Sequence, residues 1–323
     1  MYNMDWDINF THQGKAFKLV MLESVEIQSN VEVLADTASI VLPEAVMNSV
    51  LNIQNRIGRG AYVTIDLGYN GQANLVREFE GYIREIETNE SSLTIQCEDA
   101  LFLFRKDVKD EEIKNTSVSK IAQKLIDQID KSYKLVCDHD LGYEKFTIHR
   151  ATAFDVLKKL GEETKANIYF KTAEKELHIR SPYLERGRVV KYSFQKNIES
   201  ASLEYKTAAD RKFEVTVESV ASDGTITKVT KGTTGGEKAT VRVGALNKQD
   251  IGVVADAELL KRAADRYEGS FDAWLLPVIR ITDSVELTDE DYPEKDGRYY
   301  VKAVKTSFSA GGGVRTIELG VKL

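Results

Sequence analysis

Val63-Thr64-Ile65-Asp66-Leu67-Gly68-Tyr69-Asn70-Gly71 decides how the rest of this chain is read. Apolar residues at 63, 65 and 67 alternate with Thr64 and Asp66. Successive side chains of a strand leave on opposite faces, so this period of two marks a half-buried β-strand. Gly-Tyr-Asn-Gly then supplies the residues of a tight turn. The pattern recurs on both sides. Val25 and Ile27, then Val31 and Val33, alternate with Glu26, Gln28 and Glu32. Ala38, Ile40 and Leu42 do the same until Pro43, and Leu93, Ile95 and Cys97 alternate with Thr94, Gln96 and Glu98. A second turn is predicted at 89–92. Only 44–57 departs from the pattern, with Val46, Val50, Ile53 and Ile57 enough for one short helix or an ordered loop. Residues 1–106 are therefore expected to form a small β-barrel or sandwich.

The period changes over 107–188. Val118, Ile121, Leu125 and Ile129 are spaced for one helical face behind the N-cap candidates Asn115, Thr116 and Ser117. A second helix is expected from Thr152 through Phe154, Leu157 and Leu160, with Gly161 late in it or near its end. Residues 167–170 and 177–179 read as a hairpin around 171–175. This is an α+β unit. From 189 to 323 strands return: Phe213, Val215 and Val217 alternate with charged and polar residues, and Asp223-Gly224 is a hairpin turn ahead of Ile226 and Val229. Val241 and Val243 follow a glycine-rich loop. One helix is predicted from a cap at Asp256 through Leu260, Ala263, Ala264 and Tyr267 to Gly269. Trp274 to Ile281 is expected to be an apolar strand with Pro277 at an edge or bulge. A closing hairpin joins 298–308 to 314–321. The fold class is β-rich α+β, with two small β-barrel units flanking an α+β unit.

Composition narrows the classes. The 323 residues are 42% hydrophobic and 29% charged, with a net charge of −7. At about 150 residues per domain this suggests two or three domains. No apolar run approaches the ~20 residues that span a bilayer, and the first residues show no Sec-type leader. Two cysteines are too few for a disulfide scaffold and suit a reducing cytoplasm. The acidic balance argues against an extended nucleic-acid footprint, and no sequence-specific nucleic-acid contact is expected.

Residues able to do chemistry are scattered. His12, His139, His149 and His178 lack metal-type spacing. Asp138-His139-Asp140 reads as a solvated turn, because adjacent residues of an extended chain point apart. His149 and His178 read as surface or satisfied sheet histidines, and Cys97 as a small core residue. The acidic run Asp283, Glu286, Asp289, Glu290, Asp291 and Glu294 has the atoms of a glycosidase pair or a cation site. It lacks the order of a calcium loop and reads first as solvated. No phosphate-binding loop or nucleophile elbow is present, and Gly58-Arg59-Gly60 precedes a strand. Lys158-Lys159 and Arg186-Gly187-Arg188 read as an exposed helix side and a linker. No cofactor, no metal site and no enzymatic activity are expected.

Four ordered segments resemble the baseplate hub family of contractile tails, which comprises the phage late-control protein D group and the N-terminal hub part of type VI secretion spike proteins. They are Gly60 to Ile65 with Phe79-Glu80-Gly81-Tyr82-Ile83; Ser117 to Leu125; Thr152 to Leu160 with Ala166 to Phe170; and Gly297 to Val304 with Phe308. Asp283-Ser284 stands where the family commonly has a glycine, and with Leu323 as the last residue a needle or lytic activity is expected to come from another protein. The resemblance implies a homotrimer whose six barrels ring an axis, adapting a six-fold tail tube to a three-fold spike. Its partners would be itself, the tube protein and the spike protein, with no membrane. It would be made in the bacterial cytoplasm and built into a virion or injection-machine baseplate. Trp274, Leu275, Leu276 and Val278 are the candidate subunit interface. The alternative is a carbohydrate-active β-sandwich protein, an adhesin or a glycosidase using 283–296.

Overall fold

The computed structural model describes residues 3–43, 57–88, 92–184, 187–209, 211–221 and 223–323. All but Ile57 of the helix or loop expected over 44–57, the turn residues 89–91 and Arg186 lie outside them. The elements run β1 (Met4–His12), β2 (Lys15–Lys18), β3 (Ser24–Asn30), β4 (Thr37–Pro43), β5 (Tyr62–Tyr69), β6 (Val76–Thr88) and β7 (Ser92–Glu98). Then come β8 (Glu111–Ser117), α1 (Val118–Ile129), β9 (Lys134–Cys137), β10 (Gly142–Ile148), α2 (Ala153–Thr164), β11 (Asn167–Lys171) and β12 (Glu176–Arg180). The last part holds β13 (Val189–Ser193), β14 (Ser200–Lys206), β15 (Phe213–Val220), β16 (Ile226–Gly232), β17 (Glu237–Val243), α3 (Lys248–Ala263), β18 (Arg266–Trp274), β19 (Ser284–Thr288), β20 (Gly297–Ser309) and β21 (Gly312–Lys322).

The two outer units were expected to be separate barrels; they share one hydrogen-bonded sheet. Its path is β14-β18-β21-β20-β3-β4-β7-β6-β5-β1-β2, with β19 also on β20 and β13 on β19. The joint is the antiparallel ladder between β20 and β3, from Ala303 opposite Asn30 to Ser309 opposite Ser24. Among the described residues no ladder joins β14 to β2, so closure is not seen. Alternation reveals which face of a strand is buried but not which strand lies beside it.

Among the described residues, three large cores and a small fourth of Val31, Tyr300 and Val321 hold the chain together. Ile8, Ile40, Ile65, Ile83 and Ile95 fill the N-terminal one, which also takes Leu275 and Phe308 from the far end of the sequence. Tyr192, Phe271, Val285, Tyr299 and Ile317 fill a second. The third gathers Ile121, Leu125, Leu157, Leu160, Ile168 and Leu177, together with Phe213, Val215, Val217, Ile251 and Val254. Thus β15, β17 and α3, assigned by sequence to the 189–323 unit, share their core with the α1–α2 unit.

Both expected helices of the middle unit form. Ser117 is the N-cap of α1, yet its side chain makes no cap bond. Asp140 does that work from across the fold, accepting from the Ser119 amide and hydroxyl at 2.8 Å each. In α2, Thr152 and Asp155 make a reciprocal capping box. The third helix corrects the sequence reading. It runs from Lys248 behind Asn247, so Asp256 is mid-helix, while Tyr267 and Gly269 belong to β18. Its inner face carries Glu258 beside Ile251 and Val254, and leaves Val253 and Leu260 exposed, so the apolar spacing misplaced the helix. Gly269 ends no helix. At φ +103° it accommodates a ladder irregularity between Arg266 and Ser270, where a Cβ would collide with the Ser202 carbonyl oxygen.

Candidate functional site

The segment expected to be a strand from Trp274 to Ile281 is a strand only as far as Trp274. Beyond it, 275–283 crosses to β19 as irregular backbone through a cis Leu276–Pro277 peptide. Pro277 has no N–H to give a ladder, and the polar groups of Leu275 are used otherwise. Its amide donates to the Tyr69 hydroxyl at 3.3 Å and its carbonyl accepts from Arg315 Nη2 at 2.9 Å. Of the four candidate interface residues, Trp274 and Leu276 are 45% and 53% exposed. Leu275 is 2% exposed and packs in the N-terminal core. Val278 is half-buried, with its carbonyl accepting from Arg188 Nη2. Leu275 is therefore an internal anchor, and only Trp274 and Leu276 present large apolar surface at this site.

A buried charge network ties this segment to both halves of the sheet, through β21 and β6. Arg315 on β21 is fully buried, and Glu78 on β6 is 3% exposed. Arg315 Nη1 and Nη2 donate to the Glu78 carboxylate at 3.1 and 3.0 Å, and Nη1 also to the Thr306 hydroxyl. Arg280 Nη1 donates to the same carboxylate at 2.7 Å. Asp283 holds the other side of the loop, accepting from the amides of Arg188 and Arg280 at 2.8 and 2.9 Å. One carboxylate on the N-terminal strands thus binds two guanidiniums from the C-terminal part, fixing the segment that presents Trp274 and Leu276. Arg315 and Glu78 were missed from sequence. A signal existed: Arg315 is in phase with Ile317, Leu319 and Val321, on the inward face of β21.

The other residues singled out are spent on structure. Asp289 accepts from Gln195 Nε2 and from the Asp291 amide, and Asp296 from the Asp289 amide. Asp138 accepts from Arg180 and the Ser181 amide. His139 lies not in a solvated turn but buried, its ring nitrogens 3.1 Å from Ser181 Oγ and 2.8 Å from the Thr164 carbonyl oxygen. His178 is also buried, stacked on Tyr169 and paired with Glu176, and burial is the first cause of its lowered pKa. His149 is exposed against Asp110. Cys97 is a core residue whose thiol burial pushes up. Among the described residues no three His, Cys, Asp or Glu side chains converge as metal ligands, and no helix is long and apolar enough to cross a membrane.

Among the described residues, the path of the large sheet runs out at two strands. β2 and β14 end the sheet path, and most of their residues are exposed. Such edges carry backbone donors and acceptors able to take another strand, and Lys15 and Lys18 on β2 are the kind of residue that discourages indiscriminate pairing.

This architecture, a long antiparallel sheet with an α+β unit between its halves, is the fold of tail and spike-related proteins. A tail protein from Neisseria meningitidis is similar at a TM-score of 0.67 and 14% identity, over 98% of this chain and 96% of that one. The 43 kDa tail protein of prophage MuSo2 from Shewanella oneidensis is similar at 0.63 and 15%, over 98% and 96%. An Escherichia coli type VI secretion component, described as structurally similar to T4 phage tail proteins, is similar at 0.62 and 9%, over 98% and 77%. No protein-family model and no curated protein matches the sequence.

Proposed function

We propose that this chain is the structural hub of a contractile phage tail or phage-derived injection machine, a homotrimer that adapts a six-fold tail tube to a three-fold spike. The observation that carries the reading is the end-to-end correspondence of its fold with tail proteins, over 98% of this chain and 96% of theirs. The open edges β2 and β14 support ring assembly, since contacts between unlike surfaces make a ring when the rotation between subunits closes. The exposed Trp274 and Leu276 supply apolar surface for a subunit or partner contact. The role is mechanical rather than catalytic: load passing between spike and tube runs through the ladder joining β3 to β20. The tube and spike proteins are the expected partners, and the assembled baseplate the expected location. Purified particles of the parent machine should contain three copies of this chain, counted by quantitative mass spectrometry against the tube protein. Six copies, or none, would defeat the hub assignment.

A further inference from the structure

Asp36 and Asp99 stand opposite one another at the end of the β4–β7 ladder. Thr37 faces Glu98 in the register, and the next rung is made by the Asp99 amide donating to the Asp36 carbonyl at 3.0 Å. Two carboxylates facing each other across antiparallel chains repel if both are charged. Asp99 is 3% exposed and Asp36 half-buried, so water screens the pair only in part. Its Oδ1 accepts from the Leu101 amide at 3.0 Å, capping the short 3-10 helix Ala100–Phe104, while its buried Oδ2 has no hydrogen-bond donor. Both residues line one cavity of about 280 Å³. An oxygen with no donor is where a carboxylic acid carries its proton.

The position gives that proton leverage. Glu98 and Asp99 are the junction between β7 and the middle unit. The helix at 100–104 places Leu101 and Phe104 in the α1–α2 core, and the Ala100 amide donates to Thr172 Oγ1 at 3.2 Å, beyond β11. Glu98 is neutralised separately by a bidentate contact with Arg105. We propose that Asp36 and Asp99 form a proton-binding pair that fastens the N-terminal sheet to the middle unit, and that loss of the shared proton loosens this seam.

The surrounding charges agree. Burial raises both carboxyls, Asp36 to about 6 and Asp99 well above the ordinary value, with the facing Asp36 charge and then Glu98 adding to the rise in Asp99. Opposing it, Ser29 hydrogen-bonds Asp36, Arg280 attracts it, and the backbone N–H groups of Leu101 and of Asp36 favour the Asp99 anion. Arg77, Glu78, Glu80, Lys171, Glu174 and Arg315 line the same cavity, with Arg77 paired to Glu80 and Arg315 to Glu78. Because the folded values lie above the unfolded ones, the native state binds more protons, and stability falls as pH rises through the window between them. For Asp36 that window runs from 3.8 to about 6. For Asp99 it extends higher.

Thermal and chemical unfolding of the full chain from about pH 4 to about pH 9 tests this, comparing the parent with Asp36→Asn and Asp99→Asn. Asn at 99 keeps the helix-capping oxygen and replaces the proton with an N–H that never dissociates. The folding equilibrium of Asp36→Asn relative to the parent should improve about a hundredfold between about pH 4 and about pH 7, the factor corresponding to the displaced Asp36 value. Asp99→Asn should continue to gain on the parent above that. Parallel stability–pH curves would overturn the proposal. If neither variant folds, hydrogen exchange of the Ala100 and Leu101 amides in the parent decides. Exchange should accelerate with pH more steeply than in an unstructured amide, and a slope equal to the unstructured one would overturn it equally.

Discussion

Glu78→Gln is the substitution that most directly loads the buried network. The change is nearly isosteric, so it removes little apolar contact and opens no cavity. What it removes is the one carboxylate answering Arg315, which is fully buried, and Arg280, which is 38% exposed. Breaking a buried pair by neutralising one member leaves the other charge uncompensated, at about 3–5 kcal/mol. The partly exposed Arg280 contact adds under about 1 kcal/mol, since water screens it. The expected loss is thus about 3–5 kcal/mol, read by urea unfolding followed through the fluorescence of Trp6 and Trp274, the two tryptophans of the chain. A loss under about 1 kcal/mol would refute the view that the pair holds the 275–283 segment in place. The double variant Glu78→Met with Arg315→Met is the control. Removing both charges should recover much of the loss, though not all, because Arg315 also donates to Thr306 and to the Leu275 carbonyl.

Other expectations are narrower. Gly81→Ala should cost about 1–3 kcal/mol by overpacking, because a Cβ there would run into the Glu98 carbonyl oxygen and meet the Phe79 ring at 2.7 Å; denaturant midpoints check it. Asp140→Ala should cost about 1 kcal/mol, the usual worth of a helix N-cap, with hydrogen exchange rising first in the opening turn of α1. Asp289→Asn with Glu294→Gln should shift stability by less than about 0.5 kcal/mol, since an asparagine at 289 keeps an acceptor oxygen and Glu294 is exposed. Those variants should also leave any glycan binding or hydrolysis by the preparation at the parent's level, whereas loss of a measured hydrolysis would revive the carbohydrate reading.

Most strands were legible because one face of each is buried: β4, β5, β7 and β21 show the alternation directly in their burial. Both middle helices were legible because their apolar stripes coincide with the buried face, as at Val118, Ile121 and Leu125. The glycine of the Phe-x-Gly-x-Ile segment has a physical reason in the close approach of β7 to Gly81. What the pattern could not carry is long-range pairing. Nothing in the periodicity of β3 or β20 says that they lie side by side. α3 was misplaced because its inner face holds Glu258, paired with Lys165 and Arg262, while Leu260 faces out. Leu275 was grouped with its neighbours because 274–281 is one apolar run, and its burial depends on Tyr69 and Arg315, each remote in sequence. Asp36 and Asp99, far apart along the chain, meet only through the β4–β7 register.

The central claim is the trimer, and the mass of the purified chain in solution tests it most directly. Light scattering over a range of concentration and salt should give about three times 36.3 kDa, with dissociation only on dilution. A mass of one chain at every concentration, in the presence of the tube and spike proteins as well as alone, would contradict the account.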